Sequence, residues 1–394
     1  MSIRYRPRNC ALLAAMLAVG SARANAQQRD DRAARSESSR VSTRWDVAGV
    51  PALNFDADEG FGYGAILELY NYGLGVQPYR YTIQPTVFLT TEGRRDYTIF
   101  FDAPALLPGH WRLSAFAGSE QQLAQPYYGV GNGVRYDANA ERDPNPYFYR
   151  FGRRRLRATA DVQHSVGRSS ARVLFGGGIT RSSIDITPFD SGTTLLATQL
   201  GGRTPMPSRT TYLRTGLIWD TRDREIGPSH GTWAELLVQR VSPAFGATED
   251  FTRWTGTLRQ YMPLAKRLSF AQRLTIQQII GNASFDEFST IQSSFKQQEG
   301  LGGSSSIRGL PKDRYIGKGL LLGNSELRWR AAEFALFGRQ SFVALNAFAD
   351  AGRVWSDRLR LYQALEAVHV GYGAGARIIS YVTFGRAPAI GDRI

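Results

Sequence analysis

The sequence predicts an all-β protein, specifically a transmembrane antiparallel β-barrel, and three observations support this prediction. Apolar and polar residues alternate with a period of two, segments of this kind run for about ten residues, and short connections alternate with long ones. The composition agrees, because the 394 residues include 41 glycines and 18 tyrosines but only 4 methionines. No run of about 18 apolar residues occurs, which excludes an ordinary helical membrane protein.

Residues 1–26 have the three parts of a secretory signal peptide. Arg4, Arg6 and Arg8 form a positive segment, and an apolar stretch follows it. The sequence Ala-Asn-Ala at 24–26 then offers a small-residue cleavage site, whereas the alternative is a short buried helix. Cleavage would remove Cys10, the single cysteine, so the mature chain would cross the envelope without disulfide chemistry.

The rest of the chain is predicted to be a short lead-in followed by one domain. Residues 27–43 carry charges of both signs, are rich in serine and almost lack large apolar side chains, which predicts a flexible periplasmic segment. No second linker follows, so residues 44–394 are predicted to form one outer-membrane β-barrel. The formal net charge of +14 does not indicate nucleic-acid binding, because an exported chain without a clustered basic helix lacks the usual footprint.

The period of two is clear in residues 321–331. Leu327 and Trp329 alternate there with Glu326 and Arg328, which places apolar and charged side chains on opposite faces of a strand. The same alternation occurs in residues 97–102, 154–163 and 213–220. In a soluble sandwich the apolar face would pack against a second sheet. In an outer-membrane barrel it meets lipid, and the polar face lines a lumen.

Aromatic residues and connection lengths favour the membrane barrel. Aromatic residues gather at strand ends, as expected of a girdle at the lipid–water interface, in the groups Tyr70, Tyr72, Tyr79, Tyr81 and Tyr147, Phe148, Tyr149, Phe151. The predicted short connections are residues 72–78, 104–109 and 263–267, and the long ones are 121–146, 187–207 and 281–316. Such alternation is typical of periplasmic turns and extracellular loops.

Four motifs follow one another in the C-terminal two-thirds of the chain. A strand–turn motif consists of Asp220, Thr221, Arg222 and Asp223, followed by Gly227-Pro228 and Gly231. A loop motif consists of Gly302, Gly303, Ile307, Arg308, Gly309 and Leu310. The two strands after it contain Gly323-Asn324-Ser325-Glu326-Leu327-Arg328 and Phe348-Ala349-Asp350-Ala351-Gly352. In this order and spacing, the chain resembles the bacterial surface-antigen family, the barrel of outer-membrane assembly factors of the BamA and TamA type.

The resemblance implies a barrel of sixteen strands with a long loop folded inward, and about fifteen strands can be placed from alternation. It also implies that Arg308 pairs with Glu326 and Asp350, which side-chain parity places inside; the alternative is a solvated loop arginine. Leu310 stands where the family usually has Phe or Tyr, which predicts weaker stacking at the loop tip. Residues 391–394 lack an aromatic strand ending, so the last strand is absent, the count is one short or the seam is unusual.

By resemblance, the chain has a non-enzymatic role in protein (or lipid) insertion or translocation at the outer membrane of a Gram-negative cell. The family's polypeptide-transport-associated modules do not fit into residues 27–43, so separate periplasmic or lipoprotein partners are expected, together with outer-membrane lipids and lipopolysaccharide. One alternative is a structural surface antigen without a transport role. The other is a passive, anion-favouring pore lined by Arg155, Arg157, Arg214, Arg328 and Arg330.

The sequence indicates no catalytic or metal-binding site. Four histidines (His110, His164, His230 and His369) are scattered, and one cysteine cannot build a structural zinc site. The glycine-rich residues 371–375 lie in an alternating strand without a following helix, so they predict close backbone approach instead of nucleotide binding. Residues 220–223 are expected to cap a turn by local hydrogen bonds. We therefore expect neither enzyme activity nor a cofactor.

Overall fold

The computed structural model describes residues 44–56, 60–72, 79–107, 111–142, 145–189, 192–225, 227–295, 297–336 and 339–380. The strands are β1 (Arg44–Asp56), β2 (Gly60–Tyr72), β3 (Tyr81–Thr90), β4 (Arg95–Leu107), β5 (Trp111–Pro126), β6 (Arg150–Ser165), β7 (Ala171–Asp185), β8 (Ser208–Asp220), β9 (Gly231–Val241), β10 (Asp250–Ala265), β11 (Leu268–Asn282), β12 (Thr290–Ile291), β13 (Gln298–Glu299), β14 (Gly319–Leu336), β15 (Arg339–Trp355) and β16 (His369–Ser380). The predictions for residues 1–26, 27–43 and 391–394 concern parts of the chain outside the described residues.

Helical segments are short and lie in the connections between strands. They are the α-helix α1 (Leu195–Gln199) and the 3-10 turns Ala138–Glu141, Pro243–Phe245, Phe285–Ser289 and Leu361–Gln363. Within the described parts of the chain, no helix is long and apolar enough to cross a membrane.

Fourteen strands form one antiparallel sheet in which each strand pairs with the next one along the chain. The short strands β12 and β13 pair with each other, so β11 joins β14 across residues 283–318. Over the described residues, β1 and β16 are the two edges of this sheet. The architecture confirms the predicted fold class, a large antiparallel β-barrel sheet built as a meander.

Polar side chains point inward and large apolar side chains point outward, the reverse of a soluble protein. On β8, Arg214 is 7% exposed, whereas the neighbouring Leu213 and Leu217 are 57% and 61% exposed. On β6, Asp161 is buried and Leu156 is exposed. Because side chains alternate across a strand, the sheet has an apolar outer face and a polar inner face. An outer face of this kind is stable when lipid surrounds it.

Because antiparallel strands alternate in direction, successive connections lie at opposite ends of the sheet. The four longest connections all lie at the same end. These connections are residues 127–149, 186–207, 283–318 and 356–368, and we call their side the long-connection end. The opposite side, which includes the turns 166–170 and 266–267, is called the short-connection end. In outer-membrane barrels the short turns face the periplasm, so the short-connection end corresponds to that side.

The predicted aromatic girdle is wrong for several of its members. Tyr149 and Phe151 are buried inside the sheet, and the ring of Phe151 packs edge-on against Phe285 with centroids 5.5 Å apart. The Tyr79 hydroxyl donates to buried Asp102 at 2.8 Å, so that ring also lies inside. Tyr149 and Phe151 are buried because the long connections fold back over their end of the barrel and pack on an apolar core there. Four exposed tryptophans lie instead at the short-connection end, namely Trp45, Trp111, Trp219 and Trp329.

Candidate functional site at the inward loop

The connection between β11 and β14, residues 283–318, is hereafter the inward loop, and its described residues (283–295 and 297–318) pack inside the sheet. Its apolar residues Ile291, Leu301 and Ile307 are buried in one cluster. The wall contributes buried apolar residues from β14 and β15 to the same cluster, namely Leu320, Leu322 and Val354. Because polar loop backbone is costly to bury, a loop in this position needs hydrogen-bonding partners from the wall.

Arg308 supplies the largest group of such contacts. Its Nη1 lies 2.6 Å from Oε2 of Glu326 on β14, and its Nε and Nη2 lie 2.8 and 2.9 Å from the two carboxylate oxygens of Asp350 on β15. The backbone N–H of Arg308 also donates to Asp350 at 3.0 Å. The Asp350 and Glu326 carboxylates raise the pKa of Arg308 above its ordinary value. The two parallel hydrogen bonds to Asp350 hold the Arg308 guanidinium in one orientation in addition to compensating its charge.

Arg308, Glu326 and Asp350 are hereafter called the Arg308 cluster, and an aromatic ring and an amide support it. The guanidinium carbon of Arg308 lies 3.6 Å from the ring centroid of Phe348, within cation–π range. The side-chain amide of Asn324 donates to Asp350 at 2.7 Å and to the Ser306 carbonyl at 2.6 Å, so it joins wall and loop. Both supporting residues lie inward on the motif strands, and parity was the signal that could have identified them.

The loop motif forms a tight turn before Arg308. Gly302 has φ +115°, a region that favours glycine, and its N–H donates to the Ser306 hydroxyl at 2.8 Å. The N–H of Gly303 donates to the carbonyl of Leu310 at 2.9 Å. The Leu310 side chain packs against the apolar cluster of the inward loop. The turn therefore places the guanidinium between the two acids.

Strand β16 approaches the inward loop at Gly371. A Cβ atom at this position would collide with the carbonyl oxygen of Arg308 and crowd Ile307. A Cβ at Gly373 would lie 2.8 Å from the ring of Phe348. The small residues of β16 thus allow close approach to the loop and its aromatic support.

The inward loop has a second anchor at the 3-10 turn Phe285–Ser289. Asp286 lies 3.3 Å from Nη2 of Arg155 on β6 and accepts a 2.9 Å hydrogen bond from the Ser182 hydroxyl. Glu287 lies 2.8 Å from Nη2 of Arg253 on β10, whose side chain is fully buried. Neither acid could be predicted from the sequence, because a loop residue has no strand parity to indicate its direction.

The five arginines that were predicted to line a pore each lie near a carboxylate. Nε of Arg214 lies 2.6 Å from Asp161, and Nη2 of Arg157 lies 3.1 Å from Glu120. The carboxylates nearest to the other proposed pore arginines lie 3.3 Å from Arg155, 2.9 Å from Arg328 and 3.8 Å from Arg330. The anion-favouring pore was predicted from these five arginines, and the nearby carboxylates compensate their positive charge.

The strand–turn motif is held by local hydrogen bonds at the short-connection end. Nε and Nη2 of Arg222 lie 2.8 and 2.9 Å from the carboxylate oxygens of Asp220. Asp223 accepts from the hydroxyl of Ser229 at 2.6 Å and from its backbone N–H at 3.0 Å. The backbone N–H of Thr221 donates to the Thr232 carbonyl at 2.8 Å. Among the described residues, no group of three or more His, Cys, Asp or Glu side chains could hold a metal ion.

The second anchor should respond to pH through Glu249, which lies between β9 and β10. Burial, followed by the nearby Glu287 charge, raises the pKa of Glu249 from 4.5 to about 7. The Thr210 hydroxyl lies 2.9 Å from Glu249 and 3.4 Å from Glu287, and its one proton serves one carboxylate at a time. The folded protein therefore holds the Glu249 proton more tightly than the unfolded chain does. The free energy of unfolding that this contributes is fully present below pH 4.5 and is lost as pH rises through about 7.

We expect the protein to unfold at a higher temperature at pH 5 than at pH 8, with Glu249→Gln reducing this difference. The measurement is the temperature at which the folded, faster-migrating form disappears on a gel. An unchanged difference in the variant would show that other groups set the pH dependence.

A polar inner face, an apolar outer face and an ion-paired inward loop define an outer-membrane β-barrel protein. The family model for the Omp85 superfamily domain matches residues 92–387, and the chain belongs to this superfamily. This assignment confirms the resemblance drawn from the four sequence motifs.

Solved structures that are similar to this chain include two outer-membrane proteins. The structure of BamA from Haemophilus ducreyi lacking POTRA domains 1–3 has 14% sequence identity and a TM-score of 0.52, covering 88% of this chain and 68% of that one. CdiB from Escherichia coli has 16% identity and a TM-score of 0.54, covering 86% of this chain and 56% of that one. These likenesses support the fold. A search of curated protein sequences found no significant match.

Proposed function

We propose that this barrel acts in protein (or lipid) insertion or translocation at the outer membrane, without enzymatic chemistry. The observation that carries the proposal is the inward loop, which lies inside the sheet and is held by Arg308 between Glu326 and Asp350. Membership in the Omp85 superfamily supports the same general role in outer-membrane transport. Because the inward loop is held inside the lumen by ion pairs, a passive pore is disfavoured. The edge strands β1 and β16 are therefore better candidates than the lumen for contact with a client protein.

The edge strands β1 and β16 offer main-chain hydrogen-bonding groups with which a strand of a client protein could pair. In the described residues, no hydrogen-bonded ladder joins β1 to β16. An edge strand presents unpaired N–H and C=O groups, and in lipid such groups must find partners. A strand of a client protein would pair with this edge through its main chain. The Arg308 cluster would hold β14 and β15 in place during this exchange, and separate periplasmic or lipoprotein partners would deliver the client.

Photocrosslinking tests this proposal. A photoreactive residue at Tyr372, which is 85% exposed on β16, should crosslink to newly exported outer-membrane proteins. The same residue at Leu217, which faces outward on β8 within the sheet, is the matched control and should contact lipid only. Equal capture of protein at both positions would contradict a role for the edge.

Deletion of the gene separates the alternatives. Insertion or translocation predicts that the amount of at least one other outer-membrane protein falls, as measured by quantitative mass spectrometry of the outer-membrane fraction. Unchanged amounts would favour the structural surface antigen. A steady, ion-selective current through the purified protein would favour the passive pore.

A further inference from the structure

The connection between β15 and β16, residues 356–368, folds back over the outer face of the sheet. Its first contact there is Gln278 on β11, whose amide donates to the Asp357 carbonyl at 2.9 Å and whose side-chain oxygen accepts from the backbone N–H of Leu359 at 2.5 Å. Gln278 faces outward, because the adjacent Gln277 faces inward and donates to the inward loop at 2.9 Å. The connection therefore reaches back past β14 to β11 on the outside of the barrel.

A second contact holds the connection against the outer face of β15. Arg353 faces outward, because the next residue, Val354, is buried in the apolar cluster of the inward loop. Nη1 of Arg353 donates to the backbone carbonyls of Gln363 and Glu366. Its guanidinium carbon lies 4.9 Å from the ring centroid of Trp355, which shares the outward parity but is only 6% exposed. The connection is thus attached to the outer face at two separate places.

The backbone of this connection is hydrogen-bonded within its 3-10 turn. The N–H of Gln363 donates to the Arg360 carbonyl at 2.9 Å, and the N–H of Ala364 donates to the Leu361 carbonyl at 3.0 Å. The N–H of Glu366 donates to the Gln363 carbonyl at 3.0 Å. Unpaired backbone groups are costly in contact with hydrocarbon, so a turn bonded in this way suits the boundary between lipid and water.

The side chains of the connection continue the lipid-facing surface of the barrel. Leu361, Tyr362 and Leu365 are 59%, 80% and 57% exposed. Exposed apolar side chains flank them on the outer face, namely Ile280 on β11 and Val370 on β16. The connection also carries exposed arginines at 358 and 360, and long cationic side chains of this kind suit the head-group layer beside an inserted apolar turn.

We propose that the β15–β16 connection inserts Leu361, Tyr362 and Leu365 into the outer leaflet of the membrane and anchors the adjoining strands there. The short-connection end corresponds to the periplasmic side, so this connection lies at the opposite leaflet. Lipid is the partner because the connection is attached to the lipid-facing side of β11 and β15. This contact goes beyond the proposed function and does not depend on client insertion at the edge strands.

Spin labelling of the purified protein in vesicles of phosphatidylethanolamine and phosphatidylglycerol tests the proposal. The label is attached to Tyr362→Cys in a Cys10→Ser background, which has no other cysteine. The matched control is Ala138→Cys, an exposed position in the 3-10 turn Ala138–Glu141 at the same end, and Leu217→Cys is the lipid-facing reference.

The measured quantity is the rate of collision with oxygen, which concentrates in hydrocarbon, divided by the rate of collision with a water-soluble nickel complex. We expect this ratio to be about fivefold higher at position 362 than at position 138, and close to that at position 217. Equal ratios at positions 362 and 138 would overturn the proposal. All three substitutions change exposed side chains, so the folded, heat-modifiable gel form should be retained.

A double variant separates insertion of the side chains from attachment of the backbone. Leu361→Ser with Leu365→Ser keeps the contacts of Gln278 and Arg353, which involve backbone atoms. It should lower the ratio at position 362 by about threefold. An unchanged ratio would show that the attachment alone sets the position, and it would overturn a role for lipid. Spin–spin broadening that disappears on dilution with unlabelled protein would also overturn it, by assigning the turn to contact between two copies.

Discussion

Replacing Arg308 by alanine should release the inward loop from β14 and β15 and expose it to protease. Asp350 is fully buried and would lose its two-pronged partner, keeping the hydrogen bonds from the Asn324 amide and from the backbone N–H at position 308. Removing one partner of a buried ion pair costs about 3–5 kcal/mol, and partial exposure of Arg308 places this case near the lower value. We expect cleavage within residues 283–318 to become about tenfold faster in intact cells, as measured by mass spectrometry of the fragments.

Two further variants make this result specific. Arg328 contacts Glu326 at 2.9 Å but is 43% exposed, so Arg328→Ala should leave the cleavage rate near that of the wild type. Arg308→Lys keeps the charge but loses the planar fork that contacts both acids, and it should give an intermediate rate. Cleavage of Arg308→Ala at the wild-type rate would mean that other contacts hold the loop.

The barrel wall could be predicted from the sequence because lipid and lumen impose opposite demands on alternate residues. Leu156 faces outward and Asp161 faces inward as their parity on β6 predicts. The same parity placed Glu326 and Asp350 on the inner face, but the motif resemblance was needed to connect them with Arg308. The two acids lie 18 and 42 residues from that arginine, so no local pattern links them.

Features that depend on the path of a connection could not be predicted in this way. Phe151 begins a strand, where an aromatic side chain suits a lipid interface, yet it packs inside because a long connection folds back and Phe285 covers it. Asp286 meets Arg155 across 131 residues, and the sequence does not reveal which loop acid reaches which wall arginine. Glu225 and Arg112, 113 residues apart, show the same difficulty at the short-connection end.

A large loss of stability is also expected from Glu287→Ala, because this change leaves Arg253 without its carboxylate. Arg253 is fully buried, and it would keep hydrogen bonds to the Glu287 carbonyl at 2.9 Å and to Gln239 at 3.2 Å. An uncompensated buried charge costs about 3–5 kcal/mol. We expect the unfolding temperature, followed by heat-dependent gel mobility, to fall by well over 5 °C, using about 2–4 °C per kcal/mol as the scale for large domains.

The charge explanation can be separated from the loss of packing by changing both partners. Glu299→Ala is the control for a paired but exposed acid of the same loop, and it should cost less than about 1 kcal/mol. Arg253→Met combined with Glu287→Leu replaces the buried pair by apolar groups of similar size, which is often neutral or stabilising. If the unpaired charge causes the loss, this double variant should recover most of the unfolding temperature. A double variant as unstable as Glu287→Ala would assign the loss to altered packing of the 3-10 turn.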